Sequence, residues 1–517
     1  MTVLTTRKAG PREWAGLAVL ALPTALLGLD VTVLYLTMPS LAADLNPTGT
    51  QVLWIMDAYG FLIAGFLIAM GTLGDRIGRR RLLMIGAVAF GLVSVAAAYA
   101  PSAELLIAAR AALGIAGATL MPSTLALVST LFPEAAQRAL AIGLWVTAFA
   151  LGMAAGPVVG GLLVRYHWWG AAFLVAVPIV VLLLVTAPLL LPEHRAPATG
   201  RFDLVSVALS LLALLPLIFA VKHAAKAGPD LATGLALLLG AVCAVLFVRR
   251  QLRLPDPLVD VRLFTGRTFS AALGILTVGL VGVGGVMLLV TQHLQLVAAL
   301  PPLTAGAWMG PPALMMLLAA IATPLLARRI RPAHVVAGTL LLSAVGYLLL
   351  AQVRQPEEVL PVVLGFGLVY LGLGAIAALG TDLVVGAAPP ANAGGAAALT
   401  ETVQELGLAL GVALLGTLAT AAYRAQLTPQ LPAGLPPGVA DPLRDSLAGA
   451  HSVAAQLPPE VLRQAKEAAI TGLNTAALTA GAGIVLLALL AAVVLRHIGT
   501  LGGSGYGTPQ ESVARRG

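Results

Sequence analysis

The stretch Gly71–Leu82, GTLGDRIGRRRL, lies between two long apolar segments. It carries Arg76 and the run Arg79–Arg81. A charged side chain in the hydrocarbon core of a bilayer is costly, so we expect this stretch to lie at a membrane face. Short loops rich in arginine and lysine stay in the cytoplasm, which predicts that this face is the cytoplasmic one.

The composition predicts an integral membrane protein made of helices. The chain has 517 residues, of which 59% are hydrophobic and 10% are charged, whereas soluble domains carry about 25% charged residues. Lipid requires spans whose backbone hydrogen bonds close internally, which favours helices. The formal charge of +8 is assigned to loops that set the topology, so no nucleic-acid partner is predicted.

Several classes of chemistry are not expected in this chain. The single cysteine, Cys243, lies in an apolar run, which excludes a disulfide and a thiolate metal site within the chain. The sequence contains no Walker loop, no histidine cluster with metal spacing and no Ser-His-Asp constellation. We therefore predict no metal, no cofactor and no enzymatic activity, and ion gradients as the source of energy.

About 20 apolar residues cross a bilayer as a helix. This length predicts fourteen spans in the sequence, near residues 14–38, 51–73, 82–100, 105–129, 139–163, 168–191, 204–221, 231–248, 268–298, 303–326, 335–352, 359–386, 396–422 and 468–495. An even number of spans places both termini on one side. With these borders, 21 of the 30 Lys and Arg residues fall in cytoplasmic segments, eight fall outside and Arg110 falls within a span. Both termini are thus predicted to be cytoplasmic.

The loops divide the chain into three parts. The basic segments 192–201 and 249–267 bracket spans seven and eight, which leaves six spans on either side. We predict an amino-terminal bundle over 1–191, an inserted pair of spans over 192–267 and a carboxyl-terminal bundle over 268–517. The long external segment 423–467 is either a solvated linker or a helical hairpin over the outer vestibule.

The stretch Gly71–Leu82 resembles the signature that the major facilitator superfamily carries between its second and third spans. The matching positions are Gly71, Leu73, Gly74, Asp75, Arg76, Gly78, Arg79 and Arg80. The division into six, two and six spans is similar to the fourteen-span drug:proton antiporter branch. This resemblance implies a major facilitator fold, with two six-helix bundles and two extra inserted transmembrane helices. Two related halves suit alternating access around a site at mid-membrane.

Span five contains GMAAGPVVGG, residues 152–161. Gly152, Gly156 and Gly160 share one helix face and allow a neighbouring helix to approach closely, as generic packing also would. Pro157 removes one backbone hydrogen bond and permits a bend. The whole string, including Gly161, resembles the motif that marks antiporters of the superfamily, which implies export.

Arg110 lies in span four, in RAALGIAGA. Its spacing from Gly114 and Gly117 resembles the superfamily's fourth-span motif, whose arginine is implicated in proton transfer. The alternative is an arginine that anchors the helix near the outer interface, because Arg110 lies less than two turns into the span.

Five carboxylates fall within the predicted spans, namely Asp30, Asp57, Asp382, Glu401 and Glu405. Acids within spans are functional candidates because their charged forms are costly there. A carboxyl can escape this cost by taking up a proton. An acid that binds either a proton or a cation makes the two ligands compete, as an exchanger requires.

Two of these acids lie in the first two spans. Asp30 lies in LDVTVLYLTMP, which resembles the first-span signature of the drug:proton antiporter branch. Asp57 lies in WIMDAYGF, which is similar to transporters of quaternary ammonium and other lipophilic cations. A structural partner for Asp30 and an interfacial position for Asp57 are the alternatives.

Glu401 and Glu405 lie in a segment similar to span thirteen of the same branch. Four residues apart, they point the same way, and their repulsion makes them titrate as a unit. The alternative is that one of them faces the cytoplasmic interface. Asp382, close to the cytoplasmic end of span twelve, is either a proton-coupling acid or a structural acid that faces a loop.

Aromatic and methionine side chains are candidates to line a cavity for cargo. Aromatic faces attract quaternary ammonium groups, and methionine adapts to varied shapes. With the acids Asp30, Asp57, Glu401 and Glu405, the residues proposed to bind substrate are Trp54, Tyr59, Met315 and Tyr370. For each aromatic or methionine residue, ordinary helix packing is the alternative.

These observations predict a proton-coupled multidrug efflux antiporter. It would work as a monomer in the lipid bilayer of the plasma membrane, with protons and lipophilic cations as its ligands. The rival hypotheses are a proton-coupled exporter of a neutral or anionic compound and a membrane sensor that transports nothing.

Overall fold

The fold is seen in a computed structural model. It describes residues 9–47, 49–193, 203–227, 230–254, 257–388, 393–432 and 436–500. Within these ranges the chain forms helices and no strand. Fourteen helical segments there are long and apolar enough to cross a membrane. The all-helical fold with fourteen spans is therefore confirmed.

The amino-terminal bundle consists of six spans, the last of them divided at Val175. Its helices are α1 Pro11–Leu45, α2 Gly49–Ile77, α3 Arg79–Ala98, α4 Ala103–Leu131, α5 Ala135–Tyr166, α6 Ala171–Leu174 and α7 Ala176–Leu190. Two inserted spans follow, α8 Leu204–Ala227 and α9 Leu231–Gln251. We call α8 and α9 the inserted hairpin.

The carboxyl-terminal bundle supplies the other six spans. Its helices are α10 Arg267–Gln292, extended by a π-helical turn over His293–Val297, then α11 Pro302–Trp308, α12 Gly310–Ala327, α13 Pro332–Leu350, α14 Val359–Ala387, α15 Ala393–Leu427 and α18 Pro459–Val494. The last span begins nine residues earlier than predicted, because no proline follows Pro459 within α18 to interrupt the helix.

The segment between α15 and α18 folds back on the bundle. It contains two short helices, α16 Pro437–Asp445 and α17 Leu447–Ser452. The Tyr423 hydroxyl of α15 donates to the Leu443 carbonyl oxygen at 2.8 Å, and α17 contacts α18. The described part of this segment is thus helical and packed, which favours the helical alternative over a solvated linker.

The two bundles contact each other along two seams. At one seam, α2 and α4 pack against α15; at the other, α5 packs against α12 and α14. Because the number of spans is even, α1 begins and α18 ends on the same side of the protein. We call this side the terminal face, and the sequence predicts that it is cytoplasmic.

Candidate functional site

Asp30 and Arg110 form a buried ion pair within the amino-terminal bundle. Arg110 Nη1 lies 2.5 Å from Asp30 Oδ2, and the two residues are only 1% and 6% exposed. Arg110 Nε also donates to the Ile55 carbonyl oxygen at 3.1 Å. Two residues that were predicted separately are therefore partners. The burial of Arg110 against Asp30 favours a role inside the bundle over that of an interfacial anchor.

Tyr59 completes this group from α2. Arg110 Cζ lies 4.5 Å from the centroid of the Tyr59 ring, a distance at which the ring face attracts a cation. The Tyr59 hydroxyl is buried and has no hydrogen-bond partner among the described residues. An orphaned buried hydroxyl is uncommon in proteins. We call Asp30, Arg110 and Tyr59 the acid–arginine cluster.

Glycines of the fourth-span motif position the cluster. A Cβ atom at Gly114 would lie 2.5 Å from the Tyr59 carbonyl oxygen, and one at Gly117 would lie 3.0 Å from Ile63. These glycines let α4 approach α2 so closely that Arg110 reaches both the Ile55 carbonyl and the Tyr59 ring. The sequence motif therefore builds the cluster as well as supplying its arginine.

Glu401 and Glu405 lie on α15, the carboxyl-terminal helix that packs against α2 and α4. Glu401 is buried, and Gln404 Nε2 donates to its Oε1 at 3.3 Å. Glu405 is half-buried. The fold thus packs the helix that bears the glutamate pair against the two helices that bear Tyr59 and Arg110.

Asp382 has a different environment from these acids. It is buried near the terminal face on α14, and its Oδ1 lies 2.5 Å from Nε of Arg138 at the start of α5. This pair joins the two bundles at the second seam. The pairing favours the structural alternative for Asp382, although here the acid faces another helix rather than a loop.

The stretch Gly71–Leu82 links α2, α3 and α7 at the terminal face of the amino-terminal bundle. Arg79 Nε donates to Asp75 Oδ1 at 2.7 Å, and both residues are buried. Gly78, between α2 and α3, has φ of +109°, which suits glycine. Arg80 Nη1 donates to the Leu191 carbonyl oxygen at 3.0 Å, so the stretch also secures the end of α7.

The other motif residues of the stretch Gly71–Leu82 occupy less distinctive positions. Gly71 is buried and Arg76 is half-buried. A Cβ atom at Gly74 would lie 3.3 Å from Leu82, in close but tolerable contact.

The glycine string of span five lies against α1. Cβ atoms at Gly152 and Gly156 would strike the Ala25 carbonyl oxygen and the Thr32 hydroxyl, respectively. Thr32 Oγ1 donates to the Met153 carbonyl oxygen at 2.8 Å across this contact. The predicted close approach is therefore present, and it fixes α1, which carries Asp30.

The end of that string is less informative. Gly160 is buried and Gly161 is half-buried. The helix α5 continues through Pro157, whose side chain lies outside the described part of the structure.

The structure does not gather all of the predicted cargo-binding residues. Trp54 is 44% exposed on α2. Tyr370 is buried in the carboxyl-terminal bundle, where its hydroxyl donates to Met287 Sδ at 3.3 Å, and half-buried Met315 packs against Gly367. Of these four residues, only Tyr59 lies in the acid–arginine cluster. Asp57 belongs to α2, but its side chain is among those that the structure does not describe.

The sequence patterns do not single out two residues that have evident roles in the structure, Arg138 and Gln404. Arg138 was counted only as a topological charge, because it falls at a predicted span border. Gln404 lies between the two glutamates, and its amide binds Glu401. Its polarity within an apolar span was the available signal.

Comparisons with known proteins agree with this architecture. A model of the Major Facilitator Superfamily matches residues 20–412. The chain is 42% identical over 492 residues to the multidrug efflux pump LfrA of Mycolicibacterium smegmatis, covering 95% of this chain and 97% of that protein. It is 34% identical over 490 residues to the methyl viologen resistance protein SmvA of Salmonella typhimurium, covering 92% and 97%.

The fold is also similar to that of a solved transporter, the human organic anion transporter MFSD10. The TM-score is 0.62 with 16% sequence identity, and the match covers 93% of this chain and 100% of that chain. Together with the family match and the fourteen spans, these similarities show that the chain is a membrane transporter of the major facilitator superfamily.

Proposed function

We propose that this chain is a proton-coupled antiporter that exports lipophilic cations across the plasma membrane. The observation that carries the proposal is the meeting of the acid–arginine cluster with α15, which bears Glu401 and Glu405. Acids within a membrane are most often parts of ion or substrate pathways. The relatives LfrA and SmvA are named for multidrug efflux and for resistance to methyl viologen, which is an organic dication.

Asp30 and Glu401 differ in how their charge is compensated. Asp30 is bonded by the guanidinium of Arg110, whereas the described hydrogen bond of Glu401 comes from a neutral amide. A cation gains more from a carboxylate whose charge is not already balanced by a nearby base. We therefore assign cargo binding to Glu401 and proton binding to Asp30.

This assignment gives a physical mechanism for exchange. With both groups ionised, Asp30 and Arg110 are together neutral. A proton on Asp30 leaves the positive charge of Arg110 uncompensated beside Tyr59, on a helix that packs against α15. That charge repels a bound cation and favours its release. Loss of the proton to the cytoplasm restores the ion pair and readies the site for the next cation.

The driving force depends on how many protons are exchanged. One proton for one monovalent cation moves no net charge, so the pH gradient alone contributes, at about 1.4 kcal/mol per pH unit. A second proton adds the membrane potential, about 2.3 kcal/mol per 100 mV. Because there are several acids within the spans, more than one proton per cycle is expected.

Purified protein in liposomes tests this proposal. A lipophilic cation such as ethidium should release protons from the wild type, and an uncoupler should abolish its pH-driven transport. Glu401→Gln should weaken cation binding, with KM rising more than kcat falls, while Asp30→Asn should abolish proton release. Glu460→Gln serves as the matched control, because Glu460 is an exposed acid outside the site.

Other outcomes would favour the rival functions. Proton release induced only by anionic or neutral compounds would overturn the assignment to cations. No response to any compound, from protein shown to be folded, would favour the sensor that transports nothing. We further infer that Asp57 tunes selectivity, so Asp57→Asn should reduce export of cations while sparing neutral substrates.

A further inference from the structure

The inserted hairpin lies along the seam between the two bundles. Its helix α8 contacts α2 of the amino-terminal bundle and α15 of the carboxyl-terminal bundle. A Cβ atom at Gly65 of α2 would lie only 2.9 Å from Leu215 of α8, and Phe61 packs with Ile218 in the same contact. The hairpin is therefore docked closely on a seam that alternating access has to open.

At the terminal face, the chain that leaves α9 folds back and is held by Gln251. This last residue of α9 is 2% exposed. Its Oε1 accepts hydrogen bonds from the backbone amides of Leu258 and Val259 at 2.7 and 3.3 Å. Its Nε2 donates to Ser206 Oγ of α8 at 2.7 Å. One buried amide thus ties the returning chain to both helices of the hairpin.

A charged pair reinforces this arrangement. Arg250 donates to both carboxylate oxygens of Asp203, at 2.9 and 3.1 Å, and Ser206 Oγ donates to Asp203 Oδ2 at 2.6 Å. Bidentate pairs of this kind fix geometry as well as supplying energy. The base of the hairpin is therefore rigid where the returning chain attaches to it.

The returning chain then reaches both bundles. Thr72 Oγ1 of α2 lies 3.0 Å from the Leu258 carbonyl oxygen and 3.1 Å from its own Ile68 carbonyl. Leu258 and Val259 are buried against Ile68, and Leu399 of α15 packs on the same apolar cluster. The terminal ends of α2 and α15 are thus covered by one segment that is anchored on the hairpin.

We propose that Gln251, together with Leu258 and Val259 of the returning chain, forms a clasp that holds the terminal face closed, so that the inserted hairpin controls the opening of the transport path. Separating α2 from α15 at this face removes Leu258 and Val259 from one of the two surfaces that bury them. It also breaks the contact between Thr72 and the Leu258 carbonyl. This inference rests on the alternating access of the proposed function.

Distances between spin labels test the clasp directly. Labels at Thr130→Cys and Arg331→Cys, in a Cys243→Ala background, report the separation of the bundles at the terminal face, and both positions are exposed. Thr72→Val removes the hydroxyl but keeps the shape, and Gln251→Leu removes the amide. We expect each change to raise the ratio of open to closed protein about two- to tenfold, the effect of one or two hydrogen bonds.

Matched variants separate the clasp from general loss of stability. Thr72→Ser keeps the donor and should behave like the wild type. Thr186→Val removes a hydroxyl on α7 that bonds only its own helix and should leave the distances unchanged. Wild-type distance distributions in both Thr72→Val and Gln251→Leu would overturn the clasp.

Transport measured on the same samples keeps the two proposals apart. Proton-coupled cation transport with unchanged distances rejects the clasp and leaves the antiporter intact. Shifted distances in a protein that moves no cation support the clasp and reject the antiporter.

Discussion

Arg138 Nε lies 2.5 Å from Asp382 Oδ1, and this contact connects the start of α5 to the end of α14 across the two bundles. Arg138 is mostly buried, and the Asp382 side chain is fully buried. Gly143, one helical turn and a half further along α5, faces Ala320 and Ala378 of the other bundle. The bundles therefore meet at the terminal face through a charged pair backed by small residues.

Breaking this pair should open the terminal face. Removing one partner of a buried, hydrogen-bonded charge pair costs about 2 kcal/mol or more. Arg138→Gln and Asp382→Asn should each lengthen the distance between labels at positions 130 and 331. The exchange Arg138→Asp with Asp382→Arg should restore part of the closed population and part of the transport. If Asp382 instead carries the coupled proton, the exchange will restore closure but not transport.

The ion pair between Asp30 and Arg110 should separate stability from transport. Asp30→Asn leaves Arg110 buried without its counter-charge, which costs about 3–5 kcal/mol. We expect a lower melting temperature and no export of any substrate. The double change Asp30→Asn with Arg110→Gln removes both charges, so the melting temperature should recover while export stays absent. Recovery of export by the double variant would contradict the role of Asp30 in coupling.

The sequence was enough to single out these residues but not to pair them. The sequence identifies Asp30, Arg110 and Glu401 as candidates because a charged side chain within a membrane span is energetically costly. Their partners are set by tertiary contacts between residues that lie 80 positions apart for Asp30 and Arg110 and 244 apart for Arg138 and Asp382. Periodicity and span counting carry no information about such distances.

The contacts of the clasp, which lies in a loop, could not be predicted from the sequence either. The segment 249–267 reads as a basic connection between spans, and its charges predict only the side of the membrane. Gln251 gives no signal of its own, because a glutamine at a helix end is unremarkable. Its role depends on the return of Leu258 to the same point, which the fold decides.

The glycine at position 152 should be intolerant of even one added methyl group. A Cβ atom there would collide with the Ala25 carbonyl oxygen, and overpacking of a close contact costs about 1–3 kcal/mol. Gly152→Ala should therefore lower the melting temperature in detergent and slow export. Gly274→Ala is the matched control, since nothing lies near that position on α10, and it should be neutral or slightly stabilising. Equal melting temperatures for the two variants would show that α1 and α5 can separate at no cost.

The helix α17 should lose stability in acid because of His451. Burial, and then the charge of Lys466, hold the pKa of His451 below its ordinary value. The folded segment therefore binds fewer protons than the unfolded one, and its stability falls as the pH drops through the unfolded value of about 6.5. Hydrogen exchange of the α17 amides, corrected for intrinsic rates, should accelerate between pH 7.5 and pH 5.5.

Two variants check the assignment of this pH dependence. His451→Asn keeps a polar side chain that does not titrate, so the corrected exchange of α17 should no longer change over this range. Lys466→Gln removes only the second cause and should weaken the pH dependence without abolishing it. If His451→Asn retains the full change, another group titrates in this segment and the role of His451 is wrong. Because the sequence predicts that α17 lies outside the cell, such loosening would occur on the side from which protons enter in the proposed exchange.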